Sequence, residues 1–288
     1  MTLGFGAGIA LIIFITQIKD LGGMSLPQDS PAVADKLAQL WAARASISPA
    51  ALALSGAVIA AIFLLRSIAP RAPALLIAVG VASLAAWALH LPVQTIFDRF
   101  GDLPRTPPAP DLPMMSGAML LAALPWALQF TLLGAIESLL SAVVADTMTQ
   151  RQHRPNAELV AQGVANIGSA LFGGFCVTGT IARTATNVRA GARGPVAGML
   201  HALFILVFLL IAAPLSGYIP LAALAGVLAV VAWNMAEKSE IWRVVQQSRA
   251  QAAVFLVTFL LVVLQDLSVG IVVGSALSAG LHLWAKRR

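Results

Sequence analysis

Residues 196–213, VAGMLHALFILVFLLIAA, form an apolar run without Asp, Glu, Lys or Arg. A helix of about 20 such residues crosses the roughly 30 Å hydrocarbon core of a bilayer. Comparable runs occur at 3–17, 50–65, 73–91, 118–145, 219–233, 251–264 and 269–284. Hydrocarbon offers no partner for backbone N–H and C=O groups, so such runs take the one conformation that satisfies both internally, the helix. The pattern predicts an all-α membrane protein. Composition agrees: 59% of the 288 residues are hydrophobic, 10% are charged, and the mean hydropathy is +0.88.

The same numbers remove other classes. The net charge of +6 comes from basic residues scattered singly between apolar runs, whereas nucleic-acid binding gathers them in a patch. No nucleic-acid partner is expected. The single cysteine, Cys176, allows no internal disulfide and no cysteine metal site. His90, His153, His201 and His282 are dispersed, and no nucleophile, base and orienting group meet by spacing. The sequence predicts no enzyme, no catalytic residue and no metal site. The apolar start lacks the basic flank and small-residue cleavage site of a secretory signal.

Along the chain, residues 1–91 read as three spans. Ser30 and Pro31 give a helix start, and Val33, Leu37, Leu40, Trp41 and Arg44 at helical spacing predict an interfacial helix near 31–44. Residues 92–117 carry Pro104, Pro107, Pro108 and Pro110 and read as an extended connection. A second block, 118–213, opens with a span expected to be broken at Pro125 and continues with 156–172. There Glu158, Gln162, Asn166 and Ser169 recur at helical spacing, so that helix is expected to be buried in protein rather than to face lipid. Residues 214–288 add spans and an amphipathic surface helix near 236–248, with Asn234 and Glu237 spaced as a capping box. Gly270, Gly274 and Ser278 form a small-residue row for close packing.

The chemistry concentrates at 174–191. Gly173, Gly174 and Gly179 resist helix, while IARTATNVRA after them favours it, which predicts a broken segment and a new helix beginning near Thr180 or Ile181. A helix start leaves about four unpaired N–H groups and roughly half a positive charge, and both favour an anion. Arg183 adds a full charge and a fork of donors on the first turn. Irregular backbone at membrane depth is tolerated where it lines a cavity, and transporters use such helix starts as substrate sites. Glu137 stands inside an apolar run with Ser138 beside it and Ser141 one turn on, and a carboxyl there must be paired, protonated or bound to a cation. Gly134, Ser138, Ala142 and Ala145 form a face that lets another segment approach. Two readings of the charges stand: Arg183 pairs with a carboxylate such as Glu137 to lock two helices and Glu137 makes a structural hydrogen bond to neighbouring backbone, or they serve an anion and a coupling ion.

Loop charges orient the chain. If the first span runs outward and 156–191 crosses and returns through the broken segment, twelve basic residues fall on one side and five on the other. The larger group, with the C-terminus, then belongs in the cytoplasm.

The runs ESLLSAVVADTMT, ELVAQGVANIGSALFGG, VTGTIARTATNVRAGARGPVAGMLHAL and APLSGYIPLAALAGVLAVVAWNM closely resemble the sulfate permease (SulP) anion transporters. The match covers most of 118–284, and the first block, from GFGAGIALIIFITQIKDLGG to the Pro-rich loop, is similar to the preceding spans of that family. The resemblance implies a multi-pass protein of the cell membrane. Its fold would be a seven-plus-seven inverted-repeat transporter fold, of which this chain is a partial copy with a broken half-helix near 174–191. Residues 1–91 and 214–288 would belong to a gate domain and 118–213 to a core domain that moves as an elevator. Thr180, Ile181, Ala182 and Arg183 fall where the family holds its anion, and Ala182 stands where a serine is common, so contact there would come from backbone. Glu137, Ser141, Gly179 and Thr180 fall where it holds a coupling proton or sodium ion. Cys176 stands where many relatives have proline.

The resemblance also implies that the first four spans, with the opposing half-helix, and the STAS domain lie outside this chain. Alone it is expected to transport weakly or not at all. The implied function is secondary active transport of an inorganic anion, sulfate above bicarbonate, chloride or dicarboxylate, coupled to protons or sodium, in a homodimer within the bilayer. No cofactor beyond the coupling ion is implied. The alternatives are a non-transporting remnant or partner subunit of a split transporter, and a nucleobase permease of the same fold, which an arginine beside the half-helix fits less well.

Overall fold

The computed structural model describes residues 2–26, 30, 32–102, 104, 106–112, 114–247, 249–265 and 267–286. Among them the helices are, in chain order, α1 (Thr2–Leu21), α2 (Val33–Ala42), α3 (Pro49–Ile68), α4 (Ala74–Ala88), α5 (Ile96–Phe100), α6 (Gly117–Thr149), α7 (Pro155–Leu171), α8 (Ile181–Arg189), α9 (Val196–Ser216), α10 (Leu221–Met235), α11 (Lys238–Gln247), α12 (Arg249–Leu264) and α13 (Leu267–Lys286). Among the described residues, five stretches of helix are long and apolar enough to cross a membrane. Two compact units are present: Met1–Leu103 with Pro214–Arg288, and Pro104–Ala213.

In the first unit, the core is a seam of residues repeating every third or fourth position, which is the spacing of one helix face. Ala51, Leu54, Val58 and Ile62 of α3 meet Ala78, Ala82 and Ala86 of α4 and Ala222, Ala223 and Val230 of α10. Most of these are alanine, so the helices come close. At Gly226 an added Cβ would lie 3.1 Å from the Ser55 carbonyl oxygen. A second close approach, between α1 and α12, uses Gly4 and Gly8: an added Cβ at Gly4 would lie 2.5 Å from the Phe255 carbonyl oxygen. This small-x-x-x-small spacing replaces hydrophobic drive, which lipid tails do not supply, by close backbone packing. Gly270 of α13 packs on Val262, and Gly274 is buried, whereas Ser278 at the same spacing is exposed. Outward faces, such as Leu76, Val81 and Leu84 of α4, remain apolar and exposed, as a lipid-facing surface requires.

Polar ties close the ends of this unit. Ser48 caps α3, its Oγ accepting from Ala51 N at 3.4 Å, with Pro49 in the first turn where a missing N–H costs nothing. Arg99 holds Asp20 with both guanidinium nitrogens, at 2.7 and 3.2 Å, fastening α5 to the end of α1. Thr95 and Asp98 form a capping box at α5, and the hydrogen bonds from Thr95 hold the Asp98 carboxyl below the usual aspartate range. Residues 94–97 run beside 217–221, with Ile96 N donating to Ile219 O at 3.0 Å and Leu221 N to Gln94 O at 2.9 Å. So the stretch 92–117, read as extended, contains a short helix and a pinned segment.

Three further expectations change. The interfacial helix begins at Val33; Pro31 lies outside the described residues. Asn234 lies inside α10 and Glu237 takes a φ of 21°, so no capping box forms there and α11 starts at Lys238. The helix expected to break at Pro125 does not: α6 runs from Gly117 to Thr149 through it. Proline removes one hydrogen bond, and a membrane helix tolerates this because neighbouring groups re-satisfy the freed carbonyl.

The second unit is built on α6, about 50 Å long at 1.5 Å per residue. Its buried positions, Gly134, Ser138 and Ser141, are all small. Against them pack the segment 172–180 and α8. Helix α7 was expected to be buried, yet none of its residues is. Its polar row is the shielded side: Glu158, Gln162, Asn166 and Ser169 are partly covered by α6 and the broken segment, while Val160, Val164 and Ile167 are exposed. The row is polar because it grips backbone, and the opposite face is apolar.

Candidate functional site

The break between α7 and α8 is held residue by residue. Helix α7 ends at Leu171, and Gly173 follows with φ of 66°, a left-handed conformation that glycine adopts without steric cost. Gly174 N then donates to Ser169 O at 2.8 Å and Ser169 Oγ to Phe175 O at 2.7 Å. Val177 is gripped on both backbone groups: its N–H donates to Asn166 Oδ1 and its carbonyl accepts from Asn166 Nδ2, each at 2.9 Å, with Gln162 Nε2 donating to the same carbonyl. Thr178 Oγ1 donates to Gly134 O at 3.0 Å, which ties the segment to α6. No helix forms here because these side chains take the backbone groups a helix would need.

Gly179 then presses on α6. A Cβ at this position would lie 3.3 Å from Ser138 Cα, 3.4 Å from Ser138 Oγ and 3.6 Å from Ser141 Cβ. Only a residue without a side chain approaches this closely without displacing α6. Thr180 is extended, with φ of −133° and ψ of 124°, and α8 begins at Ile181, as the sequence predicts. Thr180 makes no side-chain cap, so it leaves the N–H groups of the first turn unclaimed. Arg183 stands on that turn, exposed, and among the described residues forms no ion pair. The Ala182 side chain lies outside what is described.

On α6, Glu137 is half-buried and likewise forms no ion pair among the described residues. The structure thus does not join Arg183 to Glu137 as a helix lock. Ser138 Oγ donates to Glu158 Oε1 at 2.7 Å. The Ser141 hydroxyl is buried without a hydrogen-bond partner among the described residues, and such a group costs about 1–3 kcal/mol unless a ligand satisfies it. Ser138 and Ser141 both face Gly179, so two of the coupling-ion candidates, Ser141 and Gly179, meet, while no described contact brings Glu137 to them. Sequence reasoning noted the polar row of α7 but gave Asn166, Gln162 and Thr178 no role at the site. Their signal was the helical spacing opposite a glycine-rich break.

Farther along α8, a cleft of about 690 Å³ opens between the ends of α6 and α8. Asp146, Arg151, His153, Thr184, Asn187 and Arg193 are among its lining residues. His153 Nδ1 lies 2.7 Å from Asp146 Oδ2, and Arg151 and Arg193 stand among the other lining residues. Thr184 adjoins Arg183 in sequence, so the cleft reaches the middle of the half-helix.

Comparison with known proteins bears on the family and the fold. The chain is 37% identical over 280 residues to "Putative sulfate transporter YvdB" of Bacillus subtilis (strain 168), covering 96% of this chain and 52% of that protein. The transmembrane domain of a cyanobacterial bicarbonate transporter, BicA, superposes with a TM-score of 0.78 at 32% identity, over 92% of this chain and 66% of that one. Murine Solute Carrier 26 family member A9, an anion transporter solved in the inward-facing state, shares the fold with a TM-score of 0.84 at 19% identity, over 99% of this chain and 47% of that one. The chain spans about half the length of the curated relatives it matches. Residues 1–258 match the Sulfate permease family, and the chain is a multi-pass membrane protein belonging to that family.

Proposed function

We propose that this chain carries the anion-binding half-helix of a secondary active transporter of inorganic anions, with sulfate or bicarbonate as substrate. The observation that carries the reading is the uncapped start of α8, at which Arg183 is exposed and unpaired among the described residues. Donors on Ile181, Ala182 and Arg183 and the guanidinium suit a compact oxyanion. A protein similar to this chain is named for sulfate and another for bicarbonate, and both anions fit one arginine and a few backbone donors. In this reading 104–213 is part of the moving core and the other unit part of the gate, working within a homodimer with its C-terminus in the cytoplasm.

Coupling is assigned to Glu137, Ser141, Gly179 and Thr180. A sodium ion bound here would satisfy the Ser141 hydroxyl and draw on backbone oxygen near Gly179; a proton would instead neutralise Glu137. Either cation beside the helix start would offset the charge of the anion, which links the two bindings.

The test is uptake into membrane vesicles of the source organism, in which any companion chain is present, with the gene deleted and then restored. Restored wild-type protein is expected to raise sulfate or bicarbonate uptake. Arg183→Ala is expected to lower it at least about tenfold, the scale of a lost charge-assisted contact. Glu137→Gln is expected to abolish its dependence on sodium or pH. Uptake equal in the deleted and restored strains for both anions would overturn the transport reading, and full uptake by Arg183→Ala would overturn the site.

A further inference from the structure

We propose that Asn166, supported by Gln162, is a positioning residue that aims the first turn of α8 at the anion without touching it. The inference rests on the reading of that turn as the anion site. Its basis is the accounting of backbone hydrogen bonds between the two helices. Residues 174–178 lie exposed, outside any sheet, and a segment of this kind has no ladder to fix its direction. The ties found on it come from side chains of α7, from the Ser169 carbonyl and from Gly134 of α6. Among these, only Asn166 holds both the N–H and the C=O of one residue.

A side-chain amide has the donor and acceptor of a peptide group, so Asn166 stands beside Val177 as one residue of a neighbouring strand would. Its Nδ2 also donates to the Gln162 carbonyl at 2.9 Å on its own helix, which fixes the amide plane. The direction of the chain at Val177 is thereby set by α7, and Val177 is three residues ahead of Thr180, where α8 opens. Thr178 and Gly179 between them are pinned to α6. The stretch leading into α8 is thus fixed by two helices, and without the Asn166 pairing it is held chiefly at α6, which leaves the direction of the first-turn N–H groups less fixed. Electrostatic sites depend on donors fixed in advance, so the loss falls on affinity rather than on the movement of the unit.

Asparagine is specific for this task. Aspartate accepts from Val177 N–H but repels its carbonyl, leucine has the volume and neither group, and serine is too short to reach both. The experiment uses the same vesicles and measures KM and Vmax for the anion that wild type transports. Asn166→Leu and Asn166→Asp are each expected to raise KM about tenfold or more, since small misplacements at a bound ligand have effects of that order, with Vmax per protein molecule in the membrane little changed. Gln162→Leu, which leaves the Asn166 pairing in place, is expected to raise KM less. With Arg183→Ala as background, Asn166→Leu is expected to cost less than it does alone, because the N–H donors and the guanidinium share one ligand and their losses are not additive.

A fall in Vmax with KM unchanged would overturn the inference and leave Asn166 a packing residue. If Asn166→Leu does not reach the membrane, Asn166→Ser and Gln162→Leu decide, and an unchanged KM in both overturns it. Absence of any anion uptake by wild type is a different result, because it removes the transport reading itself and this inference with it.

Discussion

At Gly179 the absence of a side chain is what brings the broken segment onto α6. Gly179→Ala is expected to destabilise the second unit by about 1–3 kcal/mol, the range for inserting a methyl group into a packed contact, because the facing atoms include the Ser138 backbone. Backbone cannot rotate aside as a flexible side chain can. Thermal unfolding in detergent would measure the loss, and an unchanged transition would mean that the contact is loose. Arg183 illustrates the opposite relation to its surroundings. It is placed by a helix start and no described carboxylate neutralises it, so its charge is available to a ligand. Both residues were legible in the sequence, the glycine as a helix breaker and the arginine as a charge between apolar runs. The partners of Val177 were not, since hydrogen bonds between a side chain and a distant backbone leave no periodic trace.

Helices were legible where hydrophobic periodicity is long. The starts of α3 and α8 and the presence of α9, α10, α12 and α13 follow from apolar runs, prolines and glycines. Failures came where a local signal was overruled by context. Pro125 breaks a helix in water, but within α6 the surrounding turns continue through it. Asn234 and Glu237 have capping-box spacing, yet α10 extends to Met235 and absorbs the asparagine. For α7, the polar row was identified and its role misread, because polarity alone does not say whether a face meets another helix or an irregular segment.

Gly4 and Gly8 were missed because single glycines in an apolar run look like ordinary membrane composition. Their packing yields a paired test. Gly4→Ala is expected to cost about 1–3 kcal/mol by forcing α1 from the Phe255 carbonyl. Gly6→Ala, whose Cβ would meet nothing within 4 Å, is expected to gain about 0.5–1 kcal/mol from helix propensity. Equal effects of the two on detergent melting would contradict the close approach of α1 and α12.

For the whole molecule, the two compact units differ in how they hold themselves together. The first packs alanine and glycine seams between nearly complete helices, as a static scaffold in lipid would. The second is organised by polar ties around a broken segment and exposes much of its apolar surface, including Phe175. Among the described residues its buried groups are small hydroxyls, glycine and alanine rather than large side chains. That arrangement provides little core and a set of directed donors, which is what binding a small charged ligand calls for. The family was legible from motifs several of which run through this unit, with its glycines and its half-helix.

The central claim is that the start of α8 holds an inorganic anion through Arg183 and free N–H groups. Equilibrium binding of radiolabelled sulfate to the purified protein, with bicarbonate as competitor, tests it without requiring turnover. Saturable binding that bicarbonate displaces and that Arg183→Ala weakens at least about tenfold is the expected result. Binding that is absent, or that is unchanged in Arg183→Ala, would contradict the account.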